Sequence, residues 1–244
     1  MIYLIGIGLW NEEDISLKGI KMMKKADEIF IELYTGNWNG DLKKLEEIAG
    51  KPIITLQREQ VESDFLINKA KDSDIALLVP GDPLAATTHI ELVAEAKKHN
   101  IPVKIVHSSS IYTAIAESGL QLYKFGRTTT LPNPEKGFEP KSPYNIVISN
   151  LERGLHTLVL LDVGMDLSKA LRLLKEMDTE RKIKNVIVCS RLGSDNQYIK
   201  YGSIEEMLEL DRIYSAIYGR STPAVILIPG ELNFKEEEFL QHLR

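Results

Sequence analysis

The chain has 244 residues, of which 43% are hydrophobic, so it can bury the core of one large α/β domain or of two domains of roughly 100 to 130 residues each. Its 30 basic and 35 acidic residues give a formal net charge of −5 at pH 7. Because there is no basic excess to neutralise phosphates, nucleic acid is excluded as a main partner, and small molecules or proteins are favoured.

The start of the chain and its rare residues predict a cytoplasmic protein without a membrane span or a metal centre. Residues 1–10 are apolar, but this stretch is too short to cross a bilayer and lacks the basic start of a signal peptide. The single cysteine, Cys189, excludes an internal disulfide and favours a reducing compartment. It lies in a predicted buried strand, where a thiol is inert. The five histidines show no ligand spacing.

The first half of the chain alternates short β-rich runs with amphipathic helices. This pattern predicts a parallel sheet that is covered by helices on both faces. The predicted strands are 2–6, 28–33, 53–56, 75–79 and 103–106, and the predicted helices are 15–25, 42–49, 65–71 and 88–99.

The second half changes character after a predicted helix at 111–117. Residues 128–144 are polar and contain four prolines, which exclude a continuous helix or a central strand and predict a long excursion. Further on, the pattern predicts strands 157–162, 185–190 and 224–228, a possible edge strand at 197–202, and helices 145–154, 167–177, 204–210 and 234–243. The expected architecture is therefore two α/β domains, 1–108 and 109–244, with the seam near residues 107–112.

The most informative segment is Val79-Pro80-Gly81-Asp82-Pro83, which ends a predicted strand. The glycine admits backbone angles that other residues avoid, and each proline fixes its own φ, so the turn is stiff and has little side-chain cover. We expect it to present the Asp82 carboxylate outward from the carboxyl end of the strand, where ligands bind in open α/β sheets. The alternative is a plain turn in which Asp82 caps the following helix.

The first strand ends in Gly6-Ile7-Gly8-Leu9-Trp10-Asn11, which has Asn11 where a dinucleotide fingerprint needs its third glycine. The acidic residues that follow also disfavour a pyrophosphate. No phosphate-binding P-loop and no G-x-S-x-G nucleophile motif occurs in the sequence. A ligand with an adenine ring and a zwitterionic tail but no phosphate suits these loops better. S-adenosylmethionine is such a ligand.

Several sequence blocks then point to one family. They are Tyr-Leu-Ile-Gly-Ile-Gly-Leu at 3–9, Val-Pro-Gly-Asp-Pro-Leu-Ala-Ala-Thr-Thr-His at 79–89, Ser-Ile-Tyr at 110–112, Gly-Leu-Gln-Leu-Tyr-Lys-Phe-Gly at 119–126, Glu-Arg-Gly-Leu-His-Thr-Leu at 152–158 and Ile-Pro-Gly-Glu-Leu at 228–232. On these blocks the chain resembles the diphthine synthases, which are tetrapyrrole-methylase-like (class III) methyltransferases. The first two blocks fit several class III methylases, whereas the Tyr-Lys-Phe-Gly and Glu-Arg-Gly-Leu-His-Thr-Leu blocks are specific to diphthine synthases.

The resemblance implies two α/β domains of the tetrapyrrole methylase-like fold with the cofactor in the inter-domain cleft, commonly as a homodimer. It implies transfer of methyl groups from S-adenosylmethionine to the amino group of 2-(3-amino-3-carboxypropyl)histidine on translation elongation factor 2. The implied product is diphthine, which carries a trimethylammonium group, and the implied place is the second step of diphthamide biosynthesis.

Carried over block by block, the resemblance also implies the cofactor contacts. They are Leu9, Asp82, Ala85, Ser110, Ile111, Leu161, Leu192 and Ala224. The chain departs from the family pattern at Gly164-Met165-Asp166, where a longer and more basic loop is expected, and this affects the expected local substrate contacts. No general base can be named from the sequence.

Two other functions stay open at this point. A class III methylase of a tetrapyrrole precursor shares the Gly-Asp-Pro loop, but a large anionic macrocycle calls for a basic cluster that the sequence lacks. The chain could also bind the cofactor without catalysis, since a site alone does not prove chemistry. For Tyr112, Lys124, Arg153 and His156, packing and surface pairing are favoured over a catalytic role.

Overall fold

Two five-stranded sheets organise the part of the chain that the computed structural model describes, which is residues 1–134, 141–220 and 222–244. The chain divides into two units, Met1–Thr113 and Ala114–Arg244, and each unit contains one sheet. Within the described ranges, no helix is both long enough and apolar enough to cross a bilayer. The single cysteine, Cys189, is a buried free thiol, and burial raises its pKa.

The first unit contains a fully parallel sheet with the strand order β3-β2-β4-β1-β5, which confirms the predicted sheet type. Its strands are β1 (Ile2–Gly6), β2 (Glu28–Glu32), β3 (Ile53–Leu56), β4 (Ile75–Val79) and β5 (Val103–Val106). Its helices are α1 (Leu17–Lys25), α2 (Leu42–Ala49), α3 (Arg58–Val61), α4 (Phe65–Asp72), α5 (Ile90–Lys98) and α6 (Ile111–Ala114), with a 3₁₀ turn at Glu12–Asp14.

Alternate residues of the strands face two separate cores, as the period of a strand requires. In β4, Leu78 packs with helices α1 and α2 on one face, whereas Leu77 packs with α4 and α5 on the other. Both faces of the parallel sheet are therefore covered by helices, and its strands are apolar throughout. This confirms the doubly wound arrangement predicted for the first half.

The second unit contains a mixed sheet with the order β6-β7-β10-β8-β9, in which only the β6–β7 pair is parallel. Its strands are β6 (Thr129–Leu131), β7 (Thr157–Leu161), β8 (Val186–Ser190), β9 (Tyr198–Gly202) and β10 (Ala224–Ile228). Its helices are α7 (Ser142–Leu151), α8 (Leu167–Met177), α9 (Ile204–Tyr218) and α10 (Phe234–Gln241), and 3₁₀ turns lie at Ile115–Ser118 and Leu122–Lys124.

Several elements of the second half differ from their predictions, among them the helix predicted at 145–154, which spans Ser142–Leu151. Strand β6 lies at the start of the polar passage 128–144 and was not predicted, because a strand of three residues is too short to show an alternating pattern. Residues 135–140 of that passage lie outside the described ranges. The helix predicted at 111–117 becomes α6 followed by a 3₁₀ turn. The helix predicted to end at Leu210 continues to Tyr218, and within it Asp211 is 4% exposed and accepts a hydrogen bond from Ser168. The possible edge strand at 197–202 is confirmed as β9.

Candidate functional site

The carboxyl ends of the neighbouring strands β4, β1 and β5 form the candidate site of the first unit. The chain leaves β1 toward helix α1 on one face of the sheet and leaves β4 toward α5 on the other face. Two adjacent strands whose connections run to opposite faces leave a crevice between their carboxyl ends, and ligands of open α/β sheets bind there. The loops that follow these three strands contain both glycine motifs singled out in the sequence.

A backbone bridge joins the loops after β1 and β4. The Gly81 amide donates to the Gly8 carbonyl at 2.7 Å, and the Gly8 amide donates to the Gly81 carbonyl at 3.3 Å. Both glycines have positive φ, +85° at Gly8 and +69° at Gly81, which other residues adopt at a cost. A Cβ atom at Gly6 would lie 2.5 Å from the Gly81 carbonyl oxygen. The crevice is therefore bordered by bare main chain that a ligand can approach closely.

Asp82 ties the loop after β4 to the loop after β5. Its Oδ1 accepts from the Leu84 amide at 3.0 Å, and its Oδ2 accepts from the Ser108 amide at 3.2 Å and lies 2.8 Å from Nδ1 of His107. The side chain is only 12% exposed. The structure thus corrects the expectation that this carboxylate points outward, because it holds two loops together. The capping alternative is wrong as well: helix α5 begins at Ile90 after His89, and the hydrogen bond from the Leu84 amide belongs to the turn itself.

His107 lies at the candidate site, and the sequence analysis did not single it out. Its side chain is 69% exposed at the carboxyl end of β5, and the Asp82 carboxylate fixes its Nδ1. When Nδ1 donates to this carboxylate, Nε2 is the accepting nitrogen of the neutral imidazole. An oriented imidazole with a free Nε2 can take up a proton. The contact between Asp82 and His107 could not be predicted from the sequence, because the two residues are 25 positions apart.

The structure brings the five predicted cofactor residues of the first unit to this edge of the sheet. Leu9 follows the bridged Gly8, and the Ala85 amide donates to the Asp82 carbonyl at 3.1 Å. Ser110 and Ile111 come after β5, where Oγ of the buried Ser110 accepts from the Tyr112 amide at 3.2 Å and Ile111 is the first residue of α6. Three loops therefore contribute these five positions.

The other three predicted cofactor residues meet at one edge of the second sheet. Leu161 is the last residue of β7 and pairs with Leu131, while Ala224 is the first residue of β10 and pairs with Ser190 at the end of β8. Leu192 follows that strand and is buried. Because β10 runs antiparallel to β7 and β8, its start lies beside their ends, and this places all three positions at the same edge.

Arg191 fixes the segment that carries Leu192. Its guanidinium is buried and donates to the carbonyls of Tyr218 at 3.0 Å and Gly219 at 2.9 Å, at the carboxyl end of helix α9. A cation suits that end of a helix, where the carbonyl groups lack helical partners. Arg191 also has a φ of +54°, so the turn after β8 is sharp. Sequence patterns gave no sign of this contact, which spans 27 residues.

The short connection after β7 is a tight turn. Gly164 has a φ of +81°, and the Met165 amide donates to the Asp162 carbonyl at 2.9 Å. Asp162 accepts from the Asn133 amide at 3.0 Å, and Nζ of Lys169 donates to the Asn133 side chain at 3.0 Å. In place of a longer basic loop, Lys169 reaches Asn133 beside the turn, and Arg220 forms an ion pair with Asp166 at 3.9 Å.

The blocks at 119–126, 152–158 and 228–232 build a buried polar network in the second unit. His156 is fully buried, and its Nδ1 accepts from the Gly230 amide at 2.8 Å while its Nε2 lies 3.0 Å from Oε1 of Glu236. Lys124 donates to the Glu231 carbonyl at 2.7 Å and forms an ion pair with Glu236. These contacts join four separate segments of the chain. They agree with the expectation that Lys124 and His156 serve packing and pairing and have no catalytic role.

Burial and hydrogen bonding set the charges of this network. Burial raises the pKa of Glu236, but hydrogen bonds from Lys124, from the Asn233 and Gln121 amides and from His156 outweigh it and lower the pKa to about 2. Burial lowers the pKa of His156 in spite of the neighbouring carboxylate. The network therefore holds a neutral imidazole between an amide donor and an ionised carboxylate.

No metal centre is found in the parts of the chain that the structure covers: no three His, Cys, Asp or Glu side chains there are grouped closely enough to hold an ion. The loops of the first unit are also free of the glycine-rich helix start that phosphate groups require, since Asn11 and Glu12–Asp14 follow the first glycine pair.

Comparison with known proteins gives a consistent result. The sequence profile of the family described as Tetrapyrrole (Corrin/Porphyrin) Methylases matches residues 1–208. A diphthine synthase from Methanocaldococcus jannaschii is 42% identical over all of this chain and 98% of its own length. One from Methanococcus maripaludis is 40% identical over the same shares of the two chains. A crystal structure of diphthine synthase superposes with a TM-score of 0.90 at 31% identity, covering 99% of this chain and 95% of that one.

We expect Glu236→Gln to lower stability in a pH-dependent way. The folded-state pKa of Glu236 is about 2, below its ordinary value of 4.5, so its ionised form stabilises the fold above pH 4.5 and this stability is lost as the pH falls toward 2. The shift corresponds to about 3 kcal/mol. Urea denaturation of the variant at a series of pH values should show a lower unfolding free energy at neutral pH and a flatter pH dependence below 4.5.

The matched control is Glu237→Gln, which removes an exposed carboxylate from the same helix. It should change the unfolding free energy by less than about 0.5 kcal/mol. Equal effects of the two variants would show that the Glu236 network does not stabilise the second unit.

Proposed function

The chain belongs to the tetrapyrrole methylase family and, within it, to the diphthine synthases, and on that basis we propose that it methylates translation elongation factor 2. Its reaction class is methyl transfer, and its place is diphthamide biosynthesis. The proposed acceptor is the amino group of 2-(3-amino-3-carboxypropyl)histidine, the proposed outcome is trimethylation to diphthine, and the proposed place is the second step of that biosynthesis. The observation that carries the proposal is the end-to-end likeness to diphthine synthases.

The proposed methyl donor is S-adenosylmethionine, which supplies an electrophilic methyl group when it is bound. The first unit fits such a ligand. The Gly8–Gly81 bridge exposes main chain at the crevice between the carboxyl ends of β1 and β4, and in the described residues no phosphate-binding helix start lies there. The proposed contacts remain Leu9, Asp82, Ala85, Ser110 and Ile111 from the first unit and Leu161, Leu192 and Ala224 from the second. Asp82 supports the site by fixing the loops after β4 and β5.

The acceptor amine has to lose a proton before it can be methylated. We assign the uptake of this proton to Nε2 of His107, because its imidazole is exposed at the carboxyl edge of the sheet and Asp82 orients it through Nδ1. Most of the rate enhancement then comes from holding the amine about 3 Å from the methyl carbon and in line with the bond that breaks. Repeated methylation needs an acceptor that can turn between rounds, which an open crevice permits.

Further parts of the proposal concern assembly and location. We propose the domains 1–108 and 109–244 and a homodimer. Exposed apolar side chains of helix α9, Ile217 and Tyr218 among them, support a contact with a second copy. The proposed location is the cytoplasm, because the substrate is a translation factor and the buried thiol of Cys189 suits a reducing compartment.

The likeness to diphthine synthases favours this reading over methylation of a tetrapyrrole precursor. A large anionic macrocycle would need a set of basic side chains around the crevice. The loops after β1 and β4 instead carry Glu12, Glu13, Asp14 and Asp82. The other alternative is a protein that binds the cofactor but does not transfer its methyl group. A direct assay for methylation of the elongation factor distinguishes this alternative from the proposal.

The test is mass spectrometry of elongation factor 2 that carries the aminocarboxypropyl-histidine, after incubation with this protein and S-adenosylmethionine. We expect a gain of three methyl groups on that one residue. Factor that stays unmodified, in a sample whose protein binds S-adenosylhomocysteine, would overturn the proposed substrate.

We expect His107→Gln to slow methyl transfer by about 100-fold, the lower range of what a positioned base contributes. Glutamine can still hydrogen-bond to Asp82, so the affinity for S-adenosylhomocysteine should stay within about twofold of the original. Because solution hydroxide takes over the proton, the loss should shrink as the pH rises. Initial rates at saturating cofactor and calorimetric titration measure the two effects.

His99→Gln serves as the control, since it replaces an exposed histidine at the end of helix α5. Its rate should equal that of the unaltered protein. A His107→Gln rate that also equals it would remove His107 from the reaction.

A further inference from the structure

The segment 33–41, which connects β2 to helix α2, borders the candidate crevice of the first unit. Strand β4 lies between β2 and β1 in the sheet. From the end of β2 the segment passes the loop after β4, where a Cβ atom at Gly36 would lie 3.4 Å from Cβ of Pro80. It then reaches the loop after β1, where the Asn39 amide donates to the Trp10 carbonyl at 2.9 Å. The segment therefore crosses the carboxyl end of β4 and contacts both of the bridged loops.

Two buried glutamates fix the backbone of this segment at its two ends. Glu32 is fully buried and accepts from the amides of Tyr34 and Thr35, each at 3.1 Å. Glu12 is 7% exposed and accepts from the Asp41 amide at 2.9 Å. Burying a carboxyl group costs free energy unless hydrogen bonds replace the lost water. A connection without helix or strand is thus held in one conformation, as a binding surface requires.

The segment lies on one side of the crevice, apart from the proposed cofactor contacts. It leads to α2, whose Leu45 shares a core with Met23 of α1, whereas the loop after β4 leads to α5 and the core on the other face. The five proposed cofactor contacts of the first unit all follow β1, β4 or β5. Methyl transfer brings two reactants together, so the side formed by the segment is available to the second one.

The exposed side chains of the segment include two neutral amides, Asn37 and Asn39, and the segment contains no lysine or arginine. Nδ2 of Asn39 makes only a long contact of 3.4 Å with the Asn37 carbonyl. Each side-chain amide has two N–H donors, and an ionised carboxylate only accepts. The two asparagines can therefore donate hydrogen bonds to a carboxylate.

The proposed acceptor group carries a carboxylate of this kind. Its amine and its carboxylate are attached to the same carbon, and the amine becomes a trimethylammonium group. A lysine or arginine that bound the carboxylate would repel this positive charge, because the two cations would be only a few ångströms apart. Neutral donors hold the carboxylate without that repulsion.

We propose that Asn37 and Asn39 bind the carboxylate of the methyl acceptor, so that the segment 33–41 is the acceptor-binding wall of the crevice. The ligand class is an α-amino acid group with a free amine and a free carboxylate. The two asparagines then determine specificity, since an amine without the carboxylate loses their hydrogen bonds. This assignment rests on the proposed function, which supplies the acceptor.

The test is a ¹⁵N NMR titration of the full-length protein in the presence of S-adenosylhomocysteine. The side-chain amide signals of Asn37 and Asn39 are assigned through their alanine variants. One probe is 2-amino-4-(imidazol-2-yl)butanoate, which has the amine and the carboxylate of the acceptor, and the other is 3-(imidazol-2-yl)propylamine, which lacks only the carboxylate. We expect the amino acid to shift these signals saturably and to bind about tenfold more tightly than the amine, as hydrogen bonds to a charged group predict.

Variants make the result specific to the segment. Asn37→Ala and Asn39→Ala should each weaken binding of the amino acid by about threefold or more. The matched control Asn68→Ala, which removes an exposed asparagine from helix α4, should leave its affinity unchanged. Backbone amide spectra confirm that each variant is folded. The assignment is overturned if the amino acid causes no saturable shift, if the two probes bind equally, or if Asn68→Ala weakens binding as much as the other two variants.

This experiment separates the carboxylate site from the proposed function, because it measures binding and no methyl transfer. Equal binding of the two probes contradicts the site even where mass spectrometry shows methylated elongation factor. Binding that depends on the carboxylate and on both asparagines supports the site even where the factor stays unmodified.

Discussion

The pair of backbone hydrogen bonds between Gly8 and Gly81 is the contact on which the candidate site depends. It joins the loops that follow two neighbouring parallel strands whose helices go to opposite faces of the sheet. The bridge needs positive φ at both glycines and no Cβ at Gly6, so three glycines are required by geometry. Asp82 then connects the bridged loops to the loop after β5 and orients His107. The candidate crevice and the orientation of His107 therefore follow from one backbone arrangement.

The second unit uses buried charge for a different purpose. Lys124, His156 and Glu236 join a 3₁₀ turn, the residue before strand β7 and helix α10 through charge-assisted hydrogen bonds. Breaking a buried pair leaves an uncompensated charge, so each of these residues depends on the others. Two of the sequence blocks that carried the resemblance thus contribute to a structural network, and conspicuous motif residues here need not touch a substrate.

Sequence reasoning predicted the parts of the molecule that depend on local patterns. The parallel strands of the first unit, the edge strand β9 and the placement of Leu9 and Ala85 on loops at strand ends all follow from apolar runs and glycines. The parts it missed depend on contacts between distant segments. Asp82 meets His107 across 25 residues, Arg191 reaches the end of α9 across 27, and Asp211 of α9 binds Ser168 across 43.

The central claim, that the loops after β1, β4 and β5 form the cofactor-binding surface of the first unit, is tested most directly by amide hydrogen exchange with and without saturating S-adenosylhomocysteine. Slower exchange is predicted in residues 7–11, 80–85 and 107–113, with helix α2 on the same unit unchanged as an internal reference. If the ligand binds but these three segments exchange at their original rates, the cofactor lies elsewhere and the account of the site is wrong.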